Sequence, residues 1–384
     1  MTVTSRLWLN PAVSTIAAPP ARAAVRAFHR RLAGYAPTPL LDMPALASRC
    51  GVGRVVVKAE VSRLGLPAFK VLGASWATYR VLCERLGDEP AWATTDDLAK
   101  VVADSLGPLR LVTATDGNHG RAVAHVAGLL QLGATILVPD GTAAARIEGI
   151  AGEGAEVVVI DGTYDDAVRA AAAMASDRVL VVSDTSWPGY DQVPRWVIEG
   201  YTTIFDEIAE QLSATPDVVV VPLGVGALGA TAASVLRSGV APGSGPLLVG
   251  VEPLTAACVA AAVEAGEVVE VPGPHRSIMA GLNCGLASEL ALPALRSGFS
   301  AFVAIDDDRA RDAMRALAEV GLDVGETGAA ALAALTALVD EHRATFPLPE
   351  DATILLLATE GVTDPHAFET IVGRPPRPLR SFSN

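Results

Sequence analysis

One lysine, Lys70, stands in the apolar stretch Leu66-Pro67-Ala68-Phe69-Lys70-Val71-Leu72-Gly73-Ala74, which runs into a helical pattern over Ser75 to Leu82. Partial desolvation in such a setting lowers an ammonium pKa and leaves a neutral amine available to attack an aldehyde. A lysine snorkelling at a helix start carries the same signature, so Lys70 alone does not decide the chemistry.

Thr113-Ala114-Thr115-Asp116-Gly117-Asn118-His119-Gly120 follows one strand-like run and opens a helix-like one. Small residues at such a junction free backbone N–H groups for an anion, and Asn118 offers a donor and an acceptor to a ring substituent. The competing reading is a plain strand-to-helix turn with Asp116 as its N-cap. Gly224-Val225-Gly226-Ala227-Leu228-Gly229 repeats the arrangement after the run Val218 to Val221, and a phosphate can rest on its backbone amides. As a GxGxxG pattern it also suggests a dinucleotide site, but the acidic ribose partner due about 20 residues on is absent, Glu252 standing further along. Ala358-Thr359-Glu360-Gly361 ends the last long apolar run. The Thr359 hydroxyl can meet a ring nitrogen at the carboxyl edge of a strand, or the segment is a loop exit with Glu360 in solvent. His119 reads as structural rather than as an acid or base, and Trp187 as a packing residue rather than a pocket wall.

These residues must be held by something, and the apolar pattern says what. Short β-branched runs recur at Val55 to Val57, Leu111-Val112, Thr135 to Val138, Val157 to Ile160, Val179 to Val182, Val218 to Val221, Leu247 to Val251 and Ile354 to Leu357. Helical stretches such as Gly120 to Leu130 and Ala329 to Val339 alternate with them, which is the pattern of an α/β fold. The units between about Thr94 and Asp184 are enough for an inserted subdomain, and we expect a large domain of residues 1–76 plus 188–384 and a smaller α/β domain of 77–187.

The chain has 384 residues, 51% of them hydrophobic but only 5% aromatic, so Ala, Val and Leu supply the core. Lys and Arg number 29 against 43 Asp and Glu; the net charge of −14 repels nucleic acid and anionic lipid. No run reaches the length of a membrane span and Met1 to Asn10 lacks secretory order, so a cytoplasmic protein is the expectation. Cys50, Cys83, Cys258 and Cys284 lack the close pairs of zinc sites and read as reduced thiols, with a Cys258–Cys284 approach left open.

In this order along the chain, Ala68-Phe69-Lys70, Asp116-Gly117-Asn118-His119-Gly120, the glycine-rich loop and Thr359-Glu360-Gly361 resemble the tryptophan-synthase-β-like superfamily of pyridoxal-phosphate (PLP) enzymes, over nearly the whole chain. Its diaminopropionate ammonia-lyase branch is the most similar, on Ala27-Phe28-His29, Gly34 to Leu40, Arg63-Leu64-Gly65-Leu66, Asp184-Thr185-Ser186-Trp187, Gly189-Tyr190 and Ile278-Met279-Ala280-Gly281-Leu282. The resemblance implies fold type II: two open, mostly parallel twisted sheets with helices on both faces and the cofactor in the cleft between two domains. It implies Lys70 as the Schiff-base lysine, Asn118 at the cofactor phenolate oxygen, Gly224, Val225, Gly226, Ala227, Leu228 and Gly229 around the phosphate, and Thr359 at the pyridine nitrogen. Asp116 and Asp184 would serve the substrate. Asp116 discriminates, because dehydratases and cysteine synthases of the superfamily usually carry a neutral residue there and a carboxylate suits a cationic substrate. Pro67, Leu223 and Ala227 depart from the pattern; Ala227 replaces a frequent hydroxyl, which would leave phosphate binding more to backbone N–H groups.

The implied reaction is elimination of the β-amine from D- or L-2,3-diaminopropionate through aminoacrylate, giving pyruvate and two ammonia molecules without a metal, in a homodimer. A serine or threonine dehydratase or a β-replacement enzyme is the alternative within the superfamily. A non-catalytic amino-acid-binding homologue is the alternative of another class, and the retained Lys70 speaks against it.

Overall fold

The β-branched runs form strands, as their composition predicts. In the computed structural model, which describes residues 3–19, 22–115, 117–241 and 243–377, these are β1 (Ser5–Leu9), β2 (Leu40–Asp42), β3 (Arg54–Ala59), β4 (Arg110–Ala114), β5 (Gly133–Pro139), β6 (Glu156–Ile160), β7 (Val179–Val181), β8 (Val218–Pro222), β9 (Leu247–Pro253), β10 (Phe299–Ile305) and β11 (Thr353–Ala358). β1, β2 and β10 were not among the expected runs. The chain divides into two units, the first drawn from Met1–Pro20, Pro37–Ser62 and Ile204–Asn384, the second from Ala21–Ala36 and Arg63–Thr203.

The first unit holds a seven-stranded sheet in the order β1-β10-β9-β8-β11-β3-β2. Its interior pairings are parallel, and only the edge strands β1 and β2 run antiparallel. The interior strands are apolar on both faces because both faces are covered: every residue of β8 is buried, and so is all of β11 beyond Thr353. The helix Glu326–Asp340 is rich in alanine, which lets its backbone lie close on the sheet, and Leu332, Leu335, Val218, Val220, Ile354 and Leu356 meet in the core. Each such side chain contributes about 1.5–3 kcal/mol by leaving water. Since β8 and β11 are parallel neighbours, the segments after them leave at the same edge, where α/β sheets bind ligands.

The second unit is built on a parallel sheet in the order β6-β5-β4-β7. Val112, Ala114, Leu137, Ala167, Ala171 and Val181 form its core. The helices that serve it start on strong local signals: Thr94 with Asp97 and Thr163 with Asp166 are reciprocal capping boxes. β4 and β7 are parallel neighbours, so the Thr115–Gly120 and Val182–Tyr190 segments likewise leave at one edge. The α/β class with mostly parallel sheets is what the strands form. No helix among the described residues is long and apolar enough to cross a membrane.

Candidate active site

Lys70 opens the helix Lys70–Leu86. The chain reaches it through a tight turn in which Arg63 and Leu66 exchange backbone hydrogen bonds of 2.7 and 2.9 Å. Leu64 (φ 52°) and Gly65 (φ 82°) both take left-handed backbone, as a two-residue hairpin requires. His29 of the Ala-Phe-His motif is fully buried and braces the first helical turn, with Nε2 3.0 Å from the Leu72 carbonyl and Nδ1 2.7 Å from the Thr203 hydroxyl. Gly73 has no room for a Cβ, which would lie 2.6 Å from Tyr201 Cε1 and 2.8 Å from Val197 Cγ1. Its bareness lets the ring of Tyr201 stand edge-on to Phe69, centroids 4.7 Å apart.

The Lys70 Nζ donates to Asp184 Oδ2 at 2.7 Å, with the Asp184 side chain 9% exposed and that of Lys70 23%. Lys70 is therefore not a lysine snorkelling into solvent: its charge is directed onto a buried carboxylate. Burial by itself would raise the Asp184 carboxyl, but the neighbouring His119 ring and the positive charge and hydrogen bond of Lys70 together hold it well below the usual carboxylate range. The Asp184 segment is stapled by Tyr190, whose hydroxyl accepts from Ser183 N at 3.0 Å and donates to the Val181 carbonyl at 2.8 Å. Burial pushes that phenol well above its ordinary pKa. Trp187 stacks on Tyr190, centroids 4.0 Å apart and planes 8° from parallel, so it packs as expected. The Asp-Thr-Ser-Trp and Gly-Tyr motifs thus build one clamp that presents Asp184.

At the neighbouring strand end, Thr115 Oγ1 accepts from Gly117 N (2.9 Å) and Gly120 N (3.1 Å) and so starts the helix Asn118–Leu129. A Cβ on Gly120 would sit 2.2 Å from Thr115 Cγ2, which explains that glycine. Asn118 is the first helical residue and half-buried; His119 is buried, its Nε2 donating to the Val182 carbonyl at 2.8 Å and its Nδ1 lying 3.8 Å from Asp184 Oδ2. Asp116 lies outside the described residues.

In the first unit, Gly224 to Gly229 link β8 to the helix Ala227–Leu236. A Cβ on Gly224 would be 2.9 Å from the Gly281 carbonyl, one on Gly226 (φ 101°) 2.5 Å from Leu295 Cδ1, and one on Gly229 2.5 Å from Leu223 Cδ2. The loop is thus a bare backbone cradle, and the amides of Ala227, Leu228 and Gly229 in the first helical turn have no partner within their own helix. Val225 accepts from Ser288 N at 2.8 Å, which fixes the loop from behind. Glu252 is not a ribose ligand: it is buried and accepts from Val259 N (2.7 Å) and Ala260 N (2.9 Å) at the start of the helix Cys258–Ala265. Burial pushes its carboxyl up to about 8.

Thr359 follows β11, buried, its Oγ1 3.5 Å from the Thr327 carbonyl. Glu360 is buried as well, not solvated, and accepts from Thr327 N at 3.2 Å. Gly325 and Gly328 make this possible, since a Cβ on Gly328 would lie 2.2 Å from the Glu360 carbonyl oxygen. Gly281 of the Ile278–Leu282 motif sits between the glycine loop and Thr327, whose buried Oγ1 has no hydrogen-bond partner among the described residues. Tyr201 and Thr327 escaped the sequence reading; the glycines packed against them, Gly73 and Gly281, were the available signal. All four cysteines are free thiols, Cys284 partly exposed and the others buried.

Residues 32–360 match the family model for "Pyridoxal-phosphate dependent enzyme". The chain is 35% identical over 362 residues, 90% of each chain, to the diaminopropionate ammonia-lyase of Escherichia coli K12. Solved structures of an Escherichia coli diaminopropionate ammonia lyase are similar as well. The complex with an aminoacrylate-PLP azomethine reaction intermediate has a TM-score of 0.87 at 33% identity, covering 97% of both chains. The complex with D-serine has a TM-score of 0.88 at 33% identity, covering 97% of this chain and 98% of the other.

Proposed function

The chain belongs to the pyridoxal-phosphate-dependent enzymes, and from that membership we propose that it is a carbon–nitrogen lyase that converts 2,3-diaminopropionate, D or L, to pyruvate and two ammonia molecules. The observation that carries the reading is the Lys70–Asp184 pair, an amine and a carboxylate set at 2.7 Å on a buried wall. The donor set fits the cofactor: a cradle of backbone amides from which side chains are excluded at Gly224, Gly226 and Gly229 suits a phosphate, and a partly desolvated amine at Lys70 suits an aldehyde.

Gly224, Val225, Gly226, Ala227, Leu228 and Gly229 would hold the phosphate, Asn118 the phenolate oxygen, Thr359 the ring nitrogen, and Lys70 Nζ the aldehyde carbon. When bound, the cofactor supplies a sink for the electron pair released at the substrate Cα. Lys70 Nζ or the carboxylate of Asp116 would take the Cα proton, and with one base serving each stereoisomer both D and L forms would be substrates; the D-serine complex of the relative supports this tolerance. Asp116 or Asp184 would keep the β-amine protonated so that it departs as neutral ammonia. Thr359, a neutral hydroxyl, would put no full charge on the ring nitrogen, which would favour elimination over transamination. The working form is a cytoplasmic homodimer, the family expectation.

The test is an absorbance spectrum of purified protein with pyruvate and ammonia assays on D- and L-2,3-diaminopropionate, serine and threonine. A cofactor band lost in Lys70→Ala, with two ammonia per pyruvate, is the expected result. Turnover of serine or threonine alone would make the protein a dehydratase, and absence of the band would overturn the enzyme reading.

A further inference from the structure

His119 reads from sequence as structural, yet its surroundings give its two nitrogens different tasks. Nε2 faces the Val182 carbonyl at 2.8 Å, and a carbonyl only accepts, so Nε2 carries the ring's proton. Nδ1 is then the bare nitrogen. It is buried without a hydrogen-bond partner among the described residues, and 3.8 Å away lies Asp184 Oδ2, the same oxygen that takes the Lys70 Nζ at 2.7 Å. One carboxylate oxygen thus stands between an ammonium and an unprotonated imidazole nitrogen.

We propose that His119 is the proton-holding partner of Lys70: Nδ1 stays bare while the Lys70 ammonium occupies Asp184, and takes up a proton when Lys70 withdraws its charge from that carboxylate. His119 acts through Asp184 and is a positioning residue for the acid–base chemistry.

The electrostatics run the same way. Burial chiefly holds the imidazole pKa below its ordinary value, and the Lys70 charge lowers it further, while Asp184 opposes both. Removing the ammonium leaves the carboxylate acting on His119 without its cationic counterpart. Among the described residues, the other titratable groups nearby include Tyr190, Tyr201, Arg121, His125 and Arg146. Tyr190 and Tyr201 are phenols that burial keeps protonated. On the histidine's own helix, Arg121 and His125 both engage Glu153 instead, at 3.0 and 2.9 Å. The Arg146 side chain lies beside Gly117, with Cδ 3.2 Å from where a Cβ would stand. In turnover, the incoming amino acid must shed an ammonium proton before its nitrogen can attack. His119 Nδ1 gives that proton a place beside Asp184, 3.8 Å away. This last role rests on the lyase reading; the proton linkage itself does not.

The linkage is therefore tested without cofactor, by nitrogen–proton NMR of the histidine rings in cofactor-free native protein, Lys70→Gln and Asp184→Asn. The native protein is expected to show His119 as the Nε2–H tautomer. Its protonation midpoint should move up by about one pH unit or more in Lys70→Gln and down in Asp184→Asn. An Nδ1–H tautomer in the native protein, which needs no variant to detect, would overturn the proposal, as would equal midpoints in native and Lys70→Gln. A shifted midpoint in a protein without lyase activity would sink the proposed function and leave this inference standing; lyase activity with an unmoved midpoint would do the reverse.

Discussion

Replacing Asp184 by Asn in the cofactor-free protein keeps the shape of the side chain and removes its charge. Lys70 Nζ then faces an amide in a wall where the carboxylate was 9% exposed. A charge-assisted hydrogen bond of 2.7 Å contributes about 1.5–3 kcal/mol net, and Asn still offers one carbonyl oxygen, so the expected loss at pH 7 is about 1–3 kcal/mol. For a unit of this size that is a fall in Tm of about 2–12 °C, read by scanning calorimetry. The sign with pH follows from the depressed Asp184 carboxyl. Its contribution is fully present above the unfolded value of about 4 and is lost as pH falls below that toward the folded value. The gap between native and variant should therefore be constant from pH 7 to about 5 and close on further acidification. Equal melting temperatures at pH 7 would refute the reading of the pair as a stabilising ionic contact.

Gly226→Ala should both destabilise the first unit and abolish cofactor uptake. Its backbone at φ 101° and a Cβ 2.5 Å from Leu295 Cδ1 together cost about 2–5 kcal/mol, to be read from the melt and from absorbance on adding pyridoxal phosphate. Glu252→Gln should flatten a pH dependence. With a folded carboxyl at about 8 against about 4.3 unfolded, native stability declines between those pH values, by on the order of a few kcal/mol, and levels above them. The glutamine variant has no such proton to retain, so its stability relative to native should rise from pH 5 to pH 8; parallel curves would contradict the buried protonated state.

Much of the candidate site was legible because its signals are local. A lysine among apolar residues at a helix start, glycines at two strand-to-helix junctions and a hydroxyl at a strand end each state a short-range requirement, and each stands where its motif suggested. The interior strands were legible for the same reason: β8 and β11 are buried on both faces and read as unbroken apolar runs. β1, in which only Ser5 is buried, and β2, three residues long, carry too little apolar pattern to be seen. β10 has a serine and two alanines among its seven residues, and its partner β9 lies some 50 positions away.

From the sequence alone came the fold class, the candidate lysine, the glycine-rich loop and the resemblance that names a chemistry, all properties of short runs of residues. Tertiary structure decided which groups meet. Lys70 and Asp184 are 114 residues apart in sequence and meet only in the folded chain, and the pairing of β4 with β7 brings the His119 and Asp184 segments to one edge. Glu360, polar and next to a strand end, looked solvated, yet two glycines far from it open a buried place at a helix start where backbone N–H groups lack partners. Tyr201 reaches Phe69 beside Lys70 only because Gly73 is bare. Local patterns encode backbone conformation and burial, whereas a charge pair or a close approach between distant residues is specified by which strands become adjacent and by how little side chain stands between them.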